Sequence, residues 1–230
     1  MKGTRYPAAQ RLAYVRLLNG LLEQLTHNPN WYSQDPRVLE DKIAELFGST
    51  RVAWVLGDIA KKVESITQED FQKQLAPVLG VTAMAIPTAN ELRNLFVQQN
   101  MKLIKSLSEN HINQVEQIVL TGLRQGSHVR DLERIIKNQL GVTKQRAQLI
   151  ARDQVSKYSG DLTKHNQTYA GIKQYRWETS RDERVREEHR VLDGQVFDWD
   201  KPPVSDKSGG RFHPRQGYRC RCDAIPLLNS

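Results

Sequence analysis

Apolar residues repeat at helical spacing through the first two thirds of this chain, and this pattern constrains the fold more than any other feature. In successive segments they recur three and four positions apart, the spacing that places side chains on one face of an α-helix. The clearest stripes are Val15, Leu18, Leu21, Leu22 and Leu25; Val52, Val55, Leu56, Ile59, Val63 and Ile66; and Leu92, Leu95, Phe96, Leu103, Ile104 and Leu107. The sequence therefore predicts a predominantly helical N-terminal region.

Capping residues predict where several of these helices begin and end. Residues 35–48 begin with Asp-Pro and end with glycine, which is typical of a complete short helix. The run Thr67–Asp70 is typical of a capping box for another short helix, which Pro77 interrupts. Thr88 and Glu91 repeat the same capping pattern, so we expect a new helix to begin there.

Two further helices are predicted on either side of a short turn. One covers Gly126–Gly141 and the next begins at Thr143. Such a pair has the general pattern of a helix-turn-helix, a motif that binds DNA through its second helix. Most helix pairs with a tight turn are only packing units, so this pattern alone is a weak indication of DNA binding.

The pattern changes near Gly171. Residues 173–179, 193–199 and 221–227 alternate in polarity or are rich in β-forming residues, and each segment predicts a short strand. Residues 201–217 are rich in Pro, Gly and Ser, and a loop of this length inside a small domain is usually functional, disordered or held by a ligand.

The predicted fold class is therefore α+β, with a helical N-terminal region followed by a small C-terminal module with short strands. We place the division between residues 1–121 and residues 122–230. The apolar stripes of the first region exceed what one small module needs for its own core. We therefore expect residues 1–121 to bind partners, with burial inside a helical bundle as the alternative.

Charge and composition narrow the classes of function. The chain of 230 residues has a net charge of +8, which favours nucleic acid as a partner. The charge is spread, however: residues 146–230 contain 16 Lys and Arg against 12 Asp and Glu. Any DNA binding should therefore be weak and non-specific. The chain has no apolar run long enough to span a membrane and no secretory signal, so we expect a protein without a membrane partner.

The two cysteines of the chain, Cys220 and Cys222, are separated by one residue. A disulfide across one residue closes a small, strained ring, whereas two thiolates this close suit a single metal ion. Zinc prefers four sulfur or nitrogen ligands, and His189 and His213 are the best candidates for the other two positions. The sequence thus predicts a zinc site formed by these four residues.

Two alternatives to the zinc site remain open. Cys220 and Cys222 are equally consistent with buried packing cysteines, with His189 bonded to Asp182 or to a backbone carbonyl. An oxidised bridge that forms after cell lysis is a further possibility. The spacing of Asp182, Arg186 and His189 also predicts a short helix that Asp182 caps, with all three side chains on one face.

Catalytic motifs are absent from the sequence. It contains no phosphate-binding loop, no dinucleotide fingerprint, no nucleophile elbow and no metalloprotease helix. A catalytic zinc site needs an open coordination position, and the four predicted ligands favour a closed structural site instead. We therefore expect no catalytic residues and no enzyme activity. A zinc-dependent nucleic-acid-processing enzyme and a helix-turn-helix DNA-binding protein remain the alternatives.

Four short segments carry a resemblance to a known family. In chain order they are IARDQ at 150–154, WETSRDERVREEH at 177–189, LDG at 192–194 with an aromatic residue soon after, and CRC at 220–222. Together they resemble the phage Mu F-like head morphogenesis family, the minor head proteins of tailed phages, over about residues 122–226. One departure concerns the helix, which more often has threonine and glutamate where this chain has Asp153 and Gln154.

The resemblance implies a virion protein that is present in few copies and lies inside the head near the portal. Such a protein is in the host cytoplasm during assembly and in the capsid interior afterwards. Its implied partners are the phage portal protein, the major capsid protein, or both. Contact with the packaged DNA is implied as well.

Overall fold

The computed structural model describes residues 6–26, 45, 50–79 and 86–228. The helices and strands in these ranges are α1 (Ala8–Thr26), α2 (Thr50–Leu79), α3 (Asn90–Gln125), α4 (Val129–Tyr169), β1 (Gln174–Glu178), α5 (Glu187–Arg190), β2 (Val196–Asp198) and β3 (Asp223–Leu227). The helix predicted over residues 35–48 lies outside the described residues. Among the described helices, none has the length and apolarity that crossing a membrane requires.

The predicted α+β class is confirmed, and so are the three predicted strands. The strands form one antiparallel sheet in the order β2-β1-β3. In its central register Tyr175 lies opposite Phe197 on one side and opposite Pro226 on the other. Proline has no N–H to donate, and β3 is an edge strand, where this deficit costs least.

The capping box predicted at Thr67 was wrong, because α2 runs through this position without a break. The Thr67 hydroxyl donates to the Val63 carbonyl at 2.8 Å, one turn back along the same helix. A threonine inside a helix often donates its hydroxyl to a carbonyl one turn back. The sequence alone does not distinguish such a threonine from one that caps the start of a helix. Pro77 lies in the last turn of α2, where its missing N–H interrupts little.

The predicted turn at residues 141–143 was also wrong, since α4 is continuous from Val129 to Tyr169. Thr143 is buried, its hydroxyl donates to the Gln139 carbonyl at 3.0 Å, and His111 Nδ1 lies 3.0 Å from the same hydroxyl. This packing holds the segment in a helix despite Gly141. The described chain therefore has no helix-turn-helix at this position.

The start of α3 is capped by α2 rather than by the predicted Thr88 and Glu91. Glu64 on α2 accepts a hydrogen bond from the Ala89 backbone N–H at 2.9 Å. The same carboxylate pairs with Arg93 at 2.5 Å. A negative charge at a helix N-terminus is favourable, because the first N–H groups there lack partners within the helix.

The chain divides into two compact units, each assembled from segments that are distant in the sequence. The first unit contains Met1–Gln10, Ala60–Asn94 and Arg152–Ser230, and the second contains Arg11–Ile59 and Leu95–Ala151. The predicted division after residue 121 falls inside α3. The partner-binding role of residues 1–121 stays a prediction.

The first unit has two clusters of buried side chains. The cluster at the sheet is Tyr175, Trp177, Leu192, Trp199, Cys220, Cys222 and Ala224. The other cluster is Phe71, Leu75, Ile86 and Ile172. Gln167 on α4 is fully buried at the sheet cluster, where it donates to the Ala224 carbonyl at 2.9 Å and accepts from Trp199 Nε1 at 3.0 Å.

The second unit is built from helices with buried aliphatic side chains, including Leu18, Leu22, Leu56, Ile59 and Ile104. Buried polar pairs cross it as well. The Tyr14 hydroxyl donates to Asn100 Oδ1 at 2.6 Å, and His111 Nδ1 lies 3.0 Å from the Thr143 hydroxyl. Parts of the apolar stripes that predicted α1, α2 and α3 supply the core of this unit, whereas Leu95 of the third stripe is 48% exposed.

Candidate metal centre

Three of the four predicted zinc ligands lie together in the first unit. His189 Nδ1 is 3.4 Å from Cys222 Sγ and 3.8 Å from Cys220 Sγ. Atoms of all three side chains that can bind a metal lie within 4.8 Å of one another. The three residues are buried, with exposed fractions of 4%, 3% and 2% for His189, Cys220 and Cys222. We call them the Cys-His group.

Both ring nitrogens of His189 have neighbours: Nε2 contacts a backbone carbonyl, and Nδ1 contacts the two sulfur atoms. Its Nε2 lies 3.0 Å from the Ser205 carbonyl oxygen, which can only accept a hydrogen bond, so Nε2 carries the proton. The indole of Trp177 packs edge-on against the imidazole, with ring centroids 5.5 Å apart. His189 therefore directs Nδ1 toward the two sulfur atoms.

Both cysteines direct their sulfur atoms toward His189, although β3 begins only at Asp223. Arg221 between them pairs with Asp182 at 2.5 Å. The prediction that Asp182 caps the short helix was wrong. Asp182 accepts from the backbone of Arg184 at 3.0 Å, and α5 begins later with Arg186 in the N-cap position.

Several hydrogen bonds from α4 and the preceding loop hold the segment that contains the cysteines. Asp153 accepts from the backbone N–H of Arg219 at 2.8 Å, and Ser156 donates to the Cys220 carbonyl at 3.1 Å. The backbone N–H of Arg215 donates to Cys220 Sγ at 3.3 Å. The position of Cys220 is therefore fixed by its carbonyl, by its sulfur and by the residue before it.

The charges of the Cys-His group favour a thiolate. The pKa of Cys220 is lowered, first because the Cys222 side chain hydrogen-bonds to it, with a further contribution from His189. The pKa of Cys222 is raised, first by the same hydrogen bond and then by burial. The hydrogen bond to Cys220 raises the pKa of His189. The group thus stabilises a cysteine in its deprotonated form, the form that binds metals.

His213, the fourth predicted ligand, is not brought into the group. Its Nδ1 lies 2.8 Å from the Tyr175 hydroxyl. Its ring lies 4.8 Å from that of Trp199, between centroids. Burial lowers the pKa of His213 to about 4. The side chain is a neutral, hydrogen-bonded histidine among aromatic rings.

Sequence reasoning missed the residues that support the group. Ser205 acts through its backbone carbonyl, which no side-chain pattern reveals. Trp177 and Arg215 both touch the group, and both lie inside segments that the sequence analysis had singled out for other reasons. The one indication of Ser205 in the sequence was its place in the loop of residues 201–217, which is rich in Pro, Gly and Ser.

The family model described as Phage Mu protein F like protein matches residues 113–225 of this chain. This region belongs to the phage Mu F-like family. The family assignment indicates a phage head-related protein, and it confirms the resemblance that the four sequence segments predicted. The complete Cys-His group lies within the Mu F-like region.

A protein of Haemophilus influenzae, described as an uncharacterized protein, is 38% identical to this chain over 144 residues. The alignment covers 63% of this chain and 31% of that relative. No solved structure matches the chain. The described features of the Mu F-like region, including α4, the sheet and the Cys-His group, therefore rest on the present structure.

Proposed function

We propose that this protein is a minor head protein of a tailed phage, located inside the capsid near the portal. The observation that carries the proposal is the match of the phage Mu F-like family to residues 113–225. The protein would be made in the host cytoplasm and built into the head during assembly. Purified particles should contain it at low copy number by quantitative mass spectrometry. Its absence from washed, DNA-filled particles would refute the proposal.

Location near the portal has a direct test. A cryo-electron microscopy reconstruction of the particle without imposed symmetry should show its density at the portal vertex, on the inner side of the shell. Density distributed evenly over the other vertices would favour a role in the shell itself.

An apolar stripe on α4 supports binding to another head protein. Ile135, Val142 and Leu149 are 43%, 60% and 37% exposed and are spaced seven residues apart. Seven residues make about two turns, so the three side chains lie on one face, as in helices that pack against a partner helix. The proposed partner is the portal protein or the major capsid protein. The predicted contribution of residues 1–121 to partner binding is a separate proposal.

A charge placed in the stripe tests this contact. The change Val142→Asp should reduce incorporation into particles at least tenfold, because it introduces a charge at the centre of an apolar interface. Gln148→Asp is the matched control, since Gln148 is exposed on a different face of the same helix. Wild-type incorporation of both variants would exclude the stripe as the binding surface.

Binding to packaged DNA would be weak and non-specific. The net charge of +8 supports an attraction to phosphate, and its spread along the sequence supports a lack of sequence preference. The measured affinity should fall steeply with added salt and differ little between unrelated DNA sequences. Binding that persists at high salt, or that strongly favours one sequence, would contradict this part of the proposal.

The proposed function is structural rather than enzymatic. The described Cys-His group includes no Asp or Glu that could act as a general base, and its three side chains are at most 4% exposed. Purified protein should therefore leave DNA intact in the presence of zinc or magnesium. Cleavage of DNA that disappears in His189→Ala would overturn this assignment.

A further inference from the structure

We propose that His189, Cys220 and Cys222 bind one zinc ion as its three protein ligands, and that His213 is not a ligand. The sequence alone pointed to four ligands and left plain packing cysteines equally open. The arrangement of side chains favours three ligands. His189 lies against both thiols, whereas His213 is hydrogen-bonded to Tyr175.

The spacing of the three ligand atoms is close to that of a tetrahedral zinc site. With Zn–S near 2.3 Å and Zn–N near 2.0–2.1 Å, a tetrahedron places sulfur and nitrogen about 3.6 Å apart and two sulfurs about 3.8 Å apart. The two sulfur–nitrogen distances are 3.4 and 3.8 Å. No pair in the group exceeds 4.8 Å, so at most about 1 Å of movement brings the sulfurs to the ideal separation.

The histidine has the orientation that a ligand needs. A metal-binding histidine usually donates its second ring N–H to a carbonyl or carboxylate, which fixes the tautomer. His189 has this arrangement, with Nε2 against the Ser205 carbonyl and Nδ1 toward the sulfurs.

Two N–H donors near the sulfurs point independently to bound thiolates. The Arg215 backbone N–H donates to Cys220 Sγ at 3.3 Å. The Trp177 indole N–H is buried in the same side-chain cluster as Cys222, and it completes no hydrogen bond to a described group. A buried donor without a partner is unfavourable, and a metal-bound thiolate at Cys222 would provide the missing acceptor.

Zinc fits this ligand set better than magnesium or calcium. Thiolates and imidazole are soft or borderline ligands, whereas magnesium and calcium require oxygen. The fourth coordination position falls to a water molecule or a small anion, but the group contains no Asp or Glu that could act as a general base beside it. One ion would connect α5 to the segment that leads into β3, and the loop at Ser205 is held to it through the hydrogen bond to His189. The role of the ion would therefore be to hold these segments together.

Metal analysis of the full chain tests the proposal. Protein purified under reducing conditions without a metal-affinity tag, and then incubated with zinc and desalted, should contain one zinc per chain. Cys220→Ser, Cys222→Ser and His189→Ala should each lose it. The matched control is His213→Gln, which removes the other predicted histidine ligand and should retain one zinc per chain.

A measurement on the unmodified sequence covers the case in which ligand variants fail to fold. Replacement of zinc by cobalt(II) should give the thiolate charge-transfer and visible bands of a tetrahedral site. X-ray absorption of the zinc form should show two sulfur and two nitrogen or oxygen neighbours. Wild-type protein that binds no metal would refute the site, whether its thiols are free or bridged. Loss of zinc in His213→Gln, with the fold intact, would refute the three-ligand assignment.

Discussion

The first and second units of this chain are stabilised by different kinds of interaction. The first unit buries polar side chains that each have specific partners, such as Gln167, Arg215 and His213. The second unit has a mainly aliphatic core with few buried polar pairs, such as Tyr14 with Asn100, and its helices expose Trp54 and Val142. Polar networks tolerate few arrangements, whereas aliphatic packing tolerates many. Substitutions should therefore destabilise the first unit more and alter partner binding more in the second.

The largest expected difference lies along one helix, because α2 contributes to both units. Phe71 on its later part is 3% exposed, and Trp54 on its earlier part is 71% exposed. Phe71→Ala should lower the free energy of unfolding by about 3–5 kcal/mol, because it leaves a cavity in the core. Trp54→Ala should change it by less than about 0.5 kcal/mol. Urea unfolding of both variants measures this. Equal losses would contradict the prediction that Phe71 stabilises the first unit while Trp54 contributes little to the stability of the second.

The next largest effect concerns a partly buried ion pair. Arg215 contacts Asp223 at 2.6 Å and the Ser159 hydroxyl at 2.8 Å. Burial raises the pKa of Asp223, whereas the neighbouring Arg215 lowers it. Arg215→Met should therefore cost about 2–4 kcal/mol, because it leaves a partly buried carboxylate without its partner. Arg211→Met is the control, since Arg211 is exposed. A loss at Arg215 no larger than that of the control would show that this network contributes little.

The periodic parts of the fold could be predicted from the sequence, and the supporting contacts could not. The stripes located α1, α2 and α3, and alternating segments located β1 and β2, because these patterns depend only on neighbouring residues. The caps at Thr67 and Asp182 were wrong because each side chain has another partner. Thr67 donates to Val63 one turn back in the same helix, and Asp182 pairs with the distant Arg221.

The candidate site shows the same limit. The spacing of Cys220 and Cys222 predicted two of the ligands, and His189 lies in one of the family motifs. His213 is nearer in sequence to the thiols, yet its ring binds the Tyr175 hydroxyl and packs against the ring of Trp199. Only the tertiary packing of the aromatic cluster distinguishes the two histidines.

A smaller effect is expected where α4 meets the loop before the cysteines. Gly160 has no side chain, and a Cβ there would lie 2.9 Å from Arg215 Cβ and 3.0 Å from the Pro214 carbonyl oxygen. Gly160→Ala should therefore cost about 1–3 kcal/mol through overpacking. Gly141→Ala on the same helix meets no atom within 4 Å and should be neutral or stabilising. Thermal unfolding of the two variants measures this. A higher melting temperature for Gly160→Ala than for Gly141→Ala would contradict the prediction.

The smallest expected effect is a loss of stability at mildly acidic pH that comes from His213. Burial lowers the pKa of this histidine from 6.5 to about 4, so the folded chain resists a proton that the unfolded chain accepts. Its contribution is therefore complete above pH 6.5 and is lost as the pH falls toward 4. Between pH 6.5 and 5 the loss should be up to about 2 kcal/mol. His213→Gln should flatten this part of the stability profile, whereas His128→Gln, at an exposed position, should leave it unchanged. Identical slopes in the wild type and His213→Gln would mean that the acid sensitivity of the first unit arises elsewhere.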